Sequence, residues 1–153
     1  LVGIAIFDRL DSELQSVNGL TETMWRRKEI ENYFCMEEVL FAYARHDLPD
    51  DLFGRAESQQ REQAMREAIA EVTGALQTLN KSDPWSPEVK ATDEFLDPLF
   101  KNYFKKLKLP LQLRKSAYHI LASLVPKEKL DAEIAEKLDA IVAVAKKSNP
   151  RTK

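Results

Sequence analysis

Leu1-Val-Gly-Ile-Ala-Ile-Phe-Asp-Arg-Leu-Asp11 is the stretch on which the reading of the chain turns. Its first seven residues are apolar apart from Gly3, and the β-branched Val2, Ile4 and Ile6 fall on alternate positions. A short apolar run of this kind suits a strand buried on both faces, as in a parallel sheet covered by helices. The run stops at Asp8, with Asp11 and Glu13 close behind. In open α/β sheets the carboxyl edge is where ligands and metals bind. Carboxylates so spaced suit a hard cation such as Mg²⁺, which takes oxygen ligands and keeps several waters. The same residues also describe a strand that runs into an acidic, solvated turn.

Composition narrows the classes. The 153 residues are enough for one domain with a substantial core. A hydrophobic content of 44% beside 31% charged residues is that of an ordinary globular protein. The formal net charge of -2 excludes a global basic field, so any nucleic-acid contact needs a local patch. A single cysteine, Cys35, excludes an intrachain disulfide and a Cys-rich zinc site, and His46 and His119 alone make a His-based site a poor expectation. No apolar run approaches the roughly 18 residues of a membrane span and no signal peptide is visible, so the chain reads as cytoplasmic. The sequence opens inside a strand, with Leu rather than Met, and a buried strand needs neighbours on its edges. Little after Ile30 has strand character, which points to a fragment of a larger protein.

Farther along, Asn18-Gly19 is a turn signal. The bases Arg26, Arg27 and Lys28 then precede Glu29-Ile-Glu-Asn-Tyr-Phe34. A short strand over about residues 23–30 would be the natural partner of the first one, with an early helical turn as the alternative. From Met36 the period turns helical, with Met36, Val39, Leu40 and Tyr43 on one face. Pro49 and Gly54 interrupt it. A long helix is expected over residues 56–79, striped by Met65, Ile69, Val72, Leu76 and Leu79. A proline-bearing loop follows, in which Trp85 reads as a packing anchor. Residues 92–106 read as a helix with Phe95, Leu96, Leu99, Phe100 and Tyr103 inward and Pro98 marking a start or a kink. Lys101, Lys105, Lys106 and Lys108, continued by Arg114 and Lys115, form the best phosphate-facing candidate. A solvated helix end, where cations are favourable, is the other reading. Two more helices are expected, over 114–124 and 127–147. The second carries Leu130, Ile134, Leu138, Ile141 and Ala145 as its stripe, and Asn149-Pro150 and a basic tail close the chain. The fold class is therefore mainly α, with a short N-terminal β remnant.

Four stretches in order resemble a known family. They are Ile6-Phe-Asp-Arg9, Trp25-Arg-Arg-Lys-Glu-Ile-Glu-Asn-Tyr-Phe34, Arg114-Lys-Ser-Ala-Tyr-His-Ile-Leu-Ala122 and Leu130-Asp-Ala-Glu-Ile-Ala-Glu-Lys-Leu-Asp-Ala-Ile141. Together they look like the C-terminal part of the Toprim nuclease region of the OLD (overcoming lysogenization defect) family of ATP-dependent endonucleases. In that family an ABC-type ATPase domain precedes the Toprim domain. The first two stretches are the most telling, and the helical remainder is generic.

The resemblance implies metal-dependent phosphodiester cleavage of DNA, with Mg²⁺ or Mn²⁺ activating water and stabilising the leaving oxygen. ATP would enter only through an absent N-terminal ATPase domain. Residues 1–34 would be the C-terminal part of a Toprim-like α/β unit and residues 35–153 a helical domain. Asp8 matches the first aspartate of the family's Asp-x-Asp motif. The second would fall at Leu10, Asp11 stands one residue later, and Glu13 adds a further acid to this metal set. The family's third acid, a glutamate from an earlier strand, would lie upstream, so the isolated fragment is expected to be inactive. Lys115, or its neighbour Arg114, stands where the family has a late basic residue near the active site. There it would stabilise developing phosphate charge, or else it is a surface residue of a helix. Lys105, Lys106, Lys108 and Arg114 would contact DNA. Of Glu29 and Glu31, one would hold a metal or pair with Arg26, and pairing is the expectation. The rival is a non-catalytic helical interaction or dimerisation module, which the regular stripes and Leu10 in place of an acid favour. A small-molecule enzyme has no Gly-rich phosphate loop or nucleophile elbow to stand on.

Overall fold

The computed structural model describes residues 2–14 and 18–148. The terminal Asn149-Pro150 and the basic tail lie outside the described residues. The chain is mainly helical, with a short two-stranded parallel sheet at its N-terminus. Strand β1 (Gly3–Phe7) pairs with β2 (Leu20–Met24) in a register that sets Gly3 opposite Leu20 and Phe7 opposite Met24. Gly19 enters β2 at φ 86°, a left-handed backbone that glycine adopts without steric cost. Strand β2 begins and ends earlier than the expected 23–30. Its pairing stops at Trp25, which turns inward and is buried, and the chain then enters a 3₁₀ turn at Ile30–Tyr33. A capping box closes that turn: the Glu29 carboxylate accepts from the Asn32 backbone, and the Asn32 side chain accepts from the Glu29 backbone at 2.8 Å. Local capping thus overrides the weak strand pattern of the Glu29–Phe34 alternation.

Helix α1 (Glu37–Arg45) buries Val39, Leu40 and Ala44. Helix α2 (Leu52–Thr78) starts four residues before the expected position 56. Asp51 is its N-cap, with a carboxylate that accepts from Gly54 N–H at 2.7 Å. Gly54 is therefore a first-turn residue and not a breaker. A Cβ there would stand 1.8 Å from the Pro49 carbonyl oxygen, so only glycine lets the incoming loop approach. The α2 stripe is core as read at Met65, Val72 and Leu76, whereas Leu79 lies past the helix end and is exposed.

The expected 92–106 helix divides at Pro98. Residues Ala91–Leu96 form a wide π-helical segment, and α3 follows at Asp97–Lys106. Pro98 has no N–H with which to close an α-turn onto residue 94, which accounts for the loosened entry. Phe95, Leu96, Leu99, Phe100 and Tyr103 are all buried, and Trp85 sets its ring edge-on against Phe95 at 5.3 Å. The core centres on Phe100, whose ring lies 5.2 Å from Tyr43 and 5.9 Å from Tyr118.

The last two expected helices are shorter than their patterns. A 3₁₀ turn at Lys115–Ala117 leads into α4 (His119–Ser123), with Tyr118 between them donating its hydroxyl to Asp97. A second 3₁₀ turn at Lys127–Lys129 precedes α5 (Ala132–Lys147), which Asp131 caps. Helix α5 lies against β1. Its expected apolar stripe is half-buried only at Ile134: Leu138 is 56% and Ile141 40% exposed, Ala145 is exposed, and Leu130 stands outside the helix. The inward face carries Glu133, Lys137, Ala140 and Val144 instead. The correction has a physical cause, because both polar groups on that face find partners, Lys137 on β2 and Glu133 on the stretch that follows it. Among the described residues no helix is long and apolar enough to cross a membrane.

Candidate functional site

The carboxyl end of the parallel pair is where the sequence placed its chemistry. Asp8 follows β1 directly, is exposed, and accepts from the Ile30 backbone N–H at 3.3 Å. Arg9 N–H donates to the Lys28 carbonyl at 3.1 Å, so the two chain continuations run on side by side beyond the strands. The Arg9 guanidinium reaches the Arg26 carbonyl at 3.0 Å and grips both carboxylate oxygens of Glu88, one at 2.7 Å. That bidentate bond raises the Arg9 pKa and lowers that of Glu88. Lys28 N–H donates to the Pro87 carbonyl at 2.8 Å, which laces the Trp85 loop to the strand ends.

Beneath this edge lies a polar network. Glu133 is only 2% exposed, yet its carboxylate accepts from Arg26 backbone N–H at 3.0 Å and from the Tyr33 hydroxyl. Lys137 Nζ stands 3.6 Å from Glu133 and donates to Thr23 Oγ1 and the Met24 carbonyl, each at 2.7 Å. Burial, then the hydrogen bond to Glu133, pushes the Tyr33 phenol up to about 12. Arg27 lies over the Tyr33 ring at 4.8 Å and pairs with Asp131 at 2.9 Å. The Asp131 pKa falls, first because its carboxylate accepts from Glu133 backbone N–H and then because of Arg27. A buried carboxylate is tolerable only when it is satisfied in this way.

The acids of the Glu29–Glu31 stretch do not pair with Arg26, contrary to expectation. Glu29 accepts from Thr92 N–H at 2.9 Å, Glu31 is buried 3.9 Å from Lys115, and Arg26 bonds Glu136 at 2.5 Å. The packing of α5 and of the 91–96 segment against this stretch supplies partners that the sequence order does not show.

The basic residues divide between two places. Lys101, Arg114 and Lys115 line one cavity of about 500 Å³ with Asp97 and Tyr118, and the Lys115 side chain is 59% exposed. Lys105 and Lys106 border a smaller cleft of about 270 Å³ with Glu71 and Asn102. There Lys106 bonds Glu71 at 2.6 Å and stands 3.4 Å from Glu67, so its charge is neutralised. Lys108 sits just past α3 with a left-handed φ of 56°. Asp11 and Glu13 are exposed. Among the described residues no three His, Cys, Asp or Glu side chains stand close enough together to hold a metal ion. Asp8, Asp11 and Glu13 therefore do not fit a metal as a closed cage.

The residues that sequence reasoning missed are Glu133 and Lys137. Their four-residue spacing on α5 was visible, but it reads as an ordinary surface ion pair. Comparison with protein-family models, with curated proteins and with solved structures finds no match to any of them.

Proposed function

We propose that the chain is the C-terminal part of a Toprim-type, Mg²⁺- or Mn²⁺-dependent DNA endonuclease of the cytoplasm, joined in the full-length protein to an ABC-type ATPase domain. One observation carries the reading: Asp8 stands at the carboxyl end of β1 in a parallel pair, tied to the Trp25–Phe34 stretch by its bond from Ile30. Edges of that kind bind ligands and metals in α/β sheets. Asp8 would contribute one metal ligand and Lys115 would face phosphate from the cavity it shares with Arg114 and Lys101. The test is plasmid nicking by the full-length protein. Asp8→Ala should lower the rate at least a hundredfold at saturating Mn²⁺, and full activity in that variant refutes the assignment.

A second reading, a helical interaction or dimerisation module, is favoured by α5, which turns Leu138, Ile141 and Val142 to solvent. Apolar residues grouped on one exposed helix face mark association surfaces. As a dimerisation module the chain sediments as a dimer and Leu138→Glu returns it to a monomer; a wild-type monomer rules out the dimer.

A further inference from the structure

A cavity in the helical unit takes no part in the strand-end chemistry. It lies among the ends of α1 and α3, the middle of α2 and the loop after α3, with a volume of about 250 Å³. Tyr43, His46, Arg61, Tyr103 and Gln112 supply its polar lining, Asp47 stands at its rim with a side chain 84% exposed, and Phe104, Leu107 and Leu109 supply an apolar wall. The wall is built by the end of α3. Lys108 takes the left-handed conformation, its N–H bonds the Lys105 carbonyl at 3.1 Å, and Leu109 N–H bonds the Phe104 carbonyl at 2.9 Å. This is a Schellman closure, which brings Leu109 over Phe104.

The polar lining is rich in donors. The rings of Tyr43 and Tyr103 lie 6.4 Å apart, and Arg61 acts electrostatically on both phenols. Among the described residues neither phenol has a hydrogen-bond partner, and burial raises both, Tyr103 to about 12. Both therefore stay protonated and able to donate at neutral pH. His46 Nδ1 stands 2.8 Å from the Asp47 carboxylate, which is exposed and so screened by water. The Arg61 charge is already shared with Glu57 one turn away, so the site favours a singly charged ligand over a dianion. The volume is below that of sites for drug-sized molecules, which begin near about 300 Å³.

We infer that this cavity binds a small monocarboxylate carried on a single apolar ring, with the carboxylate among Arg61, Tyr43 and Tyr103 and the ring against Phe104, Leu107 and Leu109. The probe is benzoate, titrated into the ¹⁵N-labelled chain and followed by NMR. Saturable shifts are expected at Arg61, Phe104 and Gln112, with binding at least tenfold tighter than for benzyl alcohol, which lacks the charge, or acetate, which lacks the ring. Phenyl phosphate should bind less tightly than benzoate. Arg61→Gln should weaken benzoate at least tenfold and Tyr103→Phe severalfold, while Lys101→Gln, in the other cavity, should leave it unchanged. Tyr103→Phe keeps the buried ring, so it decides the matter if Arg61→Gln fails to fold by circular dichroism. The inference is overturned by the absence of saturable shifts, by equal binding of benzyl alcohol, or by wild-type affinity in either folded variant.

Discussion

Replacing Glu133 with alanine removes the acceptor at the centre of the network that fastens α5 to the sheet. Three groups lose it: Arg26 N–H at 3.0 Å, the Tyr33 hydroxyl, and Lys137 at 3.6 Å. Lys137 keeps Thr23 Oγ1 and the Met24 carbonyl, so its ammonium is not orphaned. The cost is therefore set by two stranded donors at about 1–3 kcal/mol each, at the low end of the range for the partly exposed Arg26 backbone. A total of about 3 kcal/mol follows, which also matches the lower bound for breaking a buried charge pair. Urea unfolding with linear extrapolation measures it. Tyr33→Phe removes one stranded donor, so the double variant should lose about 2 kcal/mol less than the sum of the singles. Glu133→Gln, which keeps an acceptor, should cost less than half as much as alanine. A Glu133→Ala protein within about 0.5 kcal/mol of wild type, the range for ordinary surface changes, would refute the assignment of this network as the anchor of α5.

Other outcomes are as definite. Gly54→Ala drives a Cβ into the Pro49 carbonyl at 1.8 Å and should destabilise the fold by about 2 kcal/mol or more; an unchanged or raised melting temperature contradicts the close approach. All four tyrosines have phenols raised by burial, to about 12 for Tyr33 and Tyr103. Because the unfolded phenols titrate at 10.0, the stability linked to these groups is complete below pH 10 and is lost as the pH rises toward 12. Ultraviolet titration of the native protein should show the Tyr33 and Tyr103 phenolate steps displaced from pH 10 toward about 12, and titration of all four phenols at pH 10 would contradict the burial.

Much of this was legible in the residues. The alternation of Val2, Ile4 and Ile6 marked β1 and put Asp8 at its end, although the strand is half-buried and not covered on both faces as its apolar run suggests. The 3.6-residue stripes of Met65, Val72 and Leu76, and of Phe95, Leu99 and Tyr103, marked the core because each helix had a strongly apolar face. The start of α2 was also signalled, since Asp51 is a good N-cap, but Pro49 and Gly54 beside it read as breakers. What separates the two readings is a long-range fact, the Pro49 carbonyl lying against the Gly54 backbone.

By itself the sequence determined which segments are helical, though not their bounds, and the first strand and the place of its acid, since these follow from local periodicity and the single alternating run. Tertiary structure decided which face of α5 is covered and which partners Arg26, Glu29, Glu31 and Lys115 take. Periodicity tells which side chains share a face, but a face is buried only if another element packs on it and satisfies its polar groups. For Glu133 and Lys137 those partners are Thr23, Met24, Arg26 and Tyr33, a hundred residues or more earlier in the chain. No local pattern around α5 carries that information.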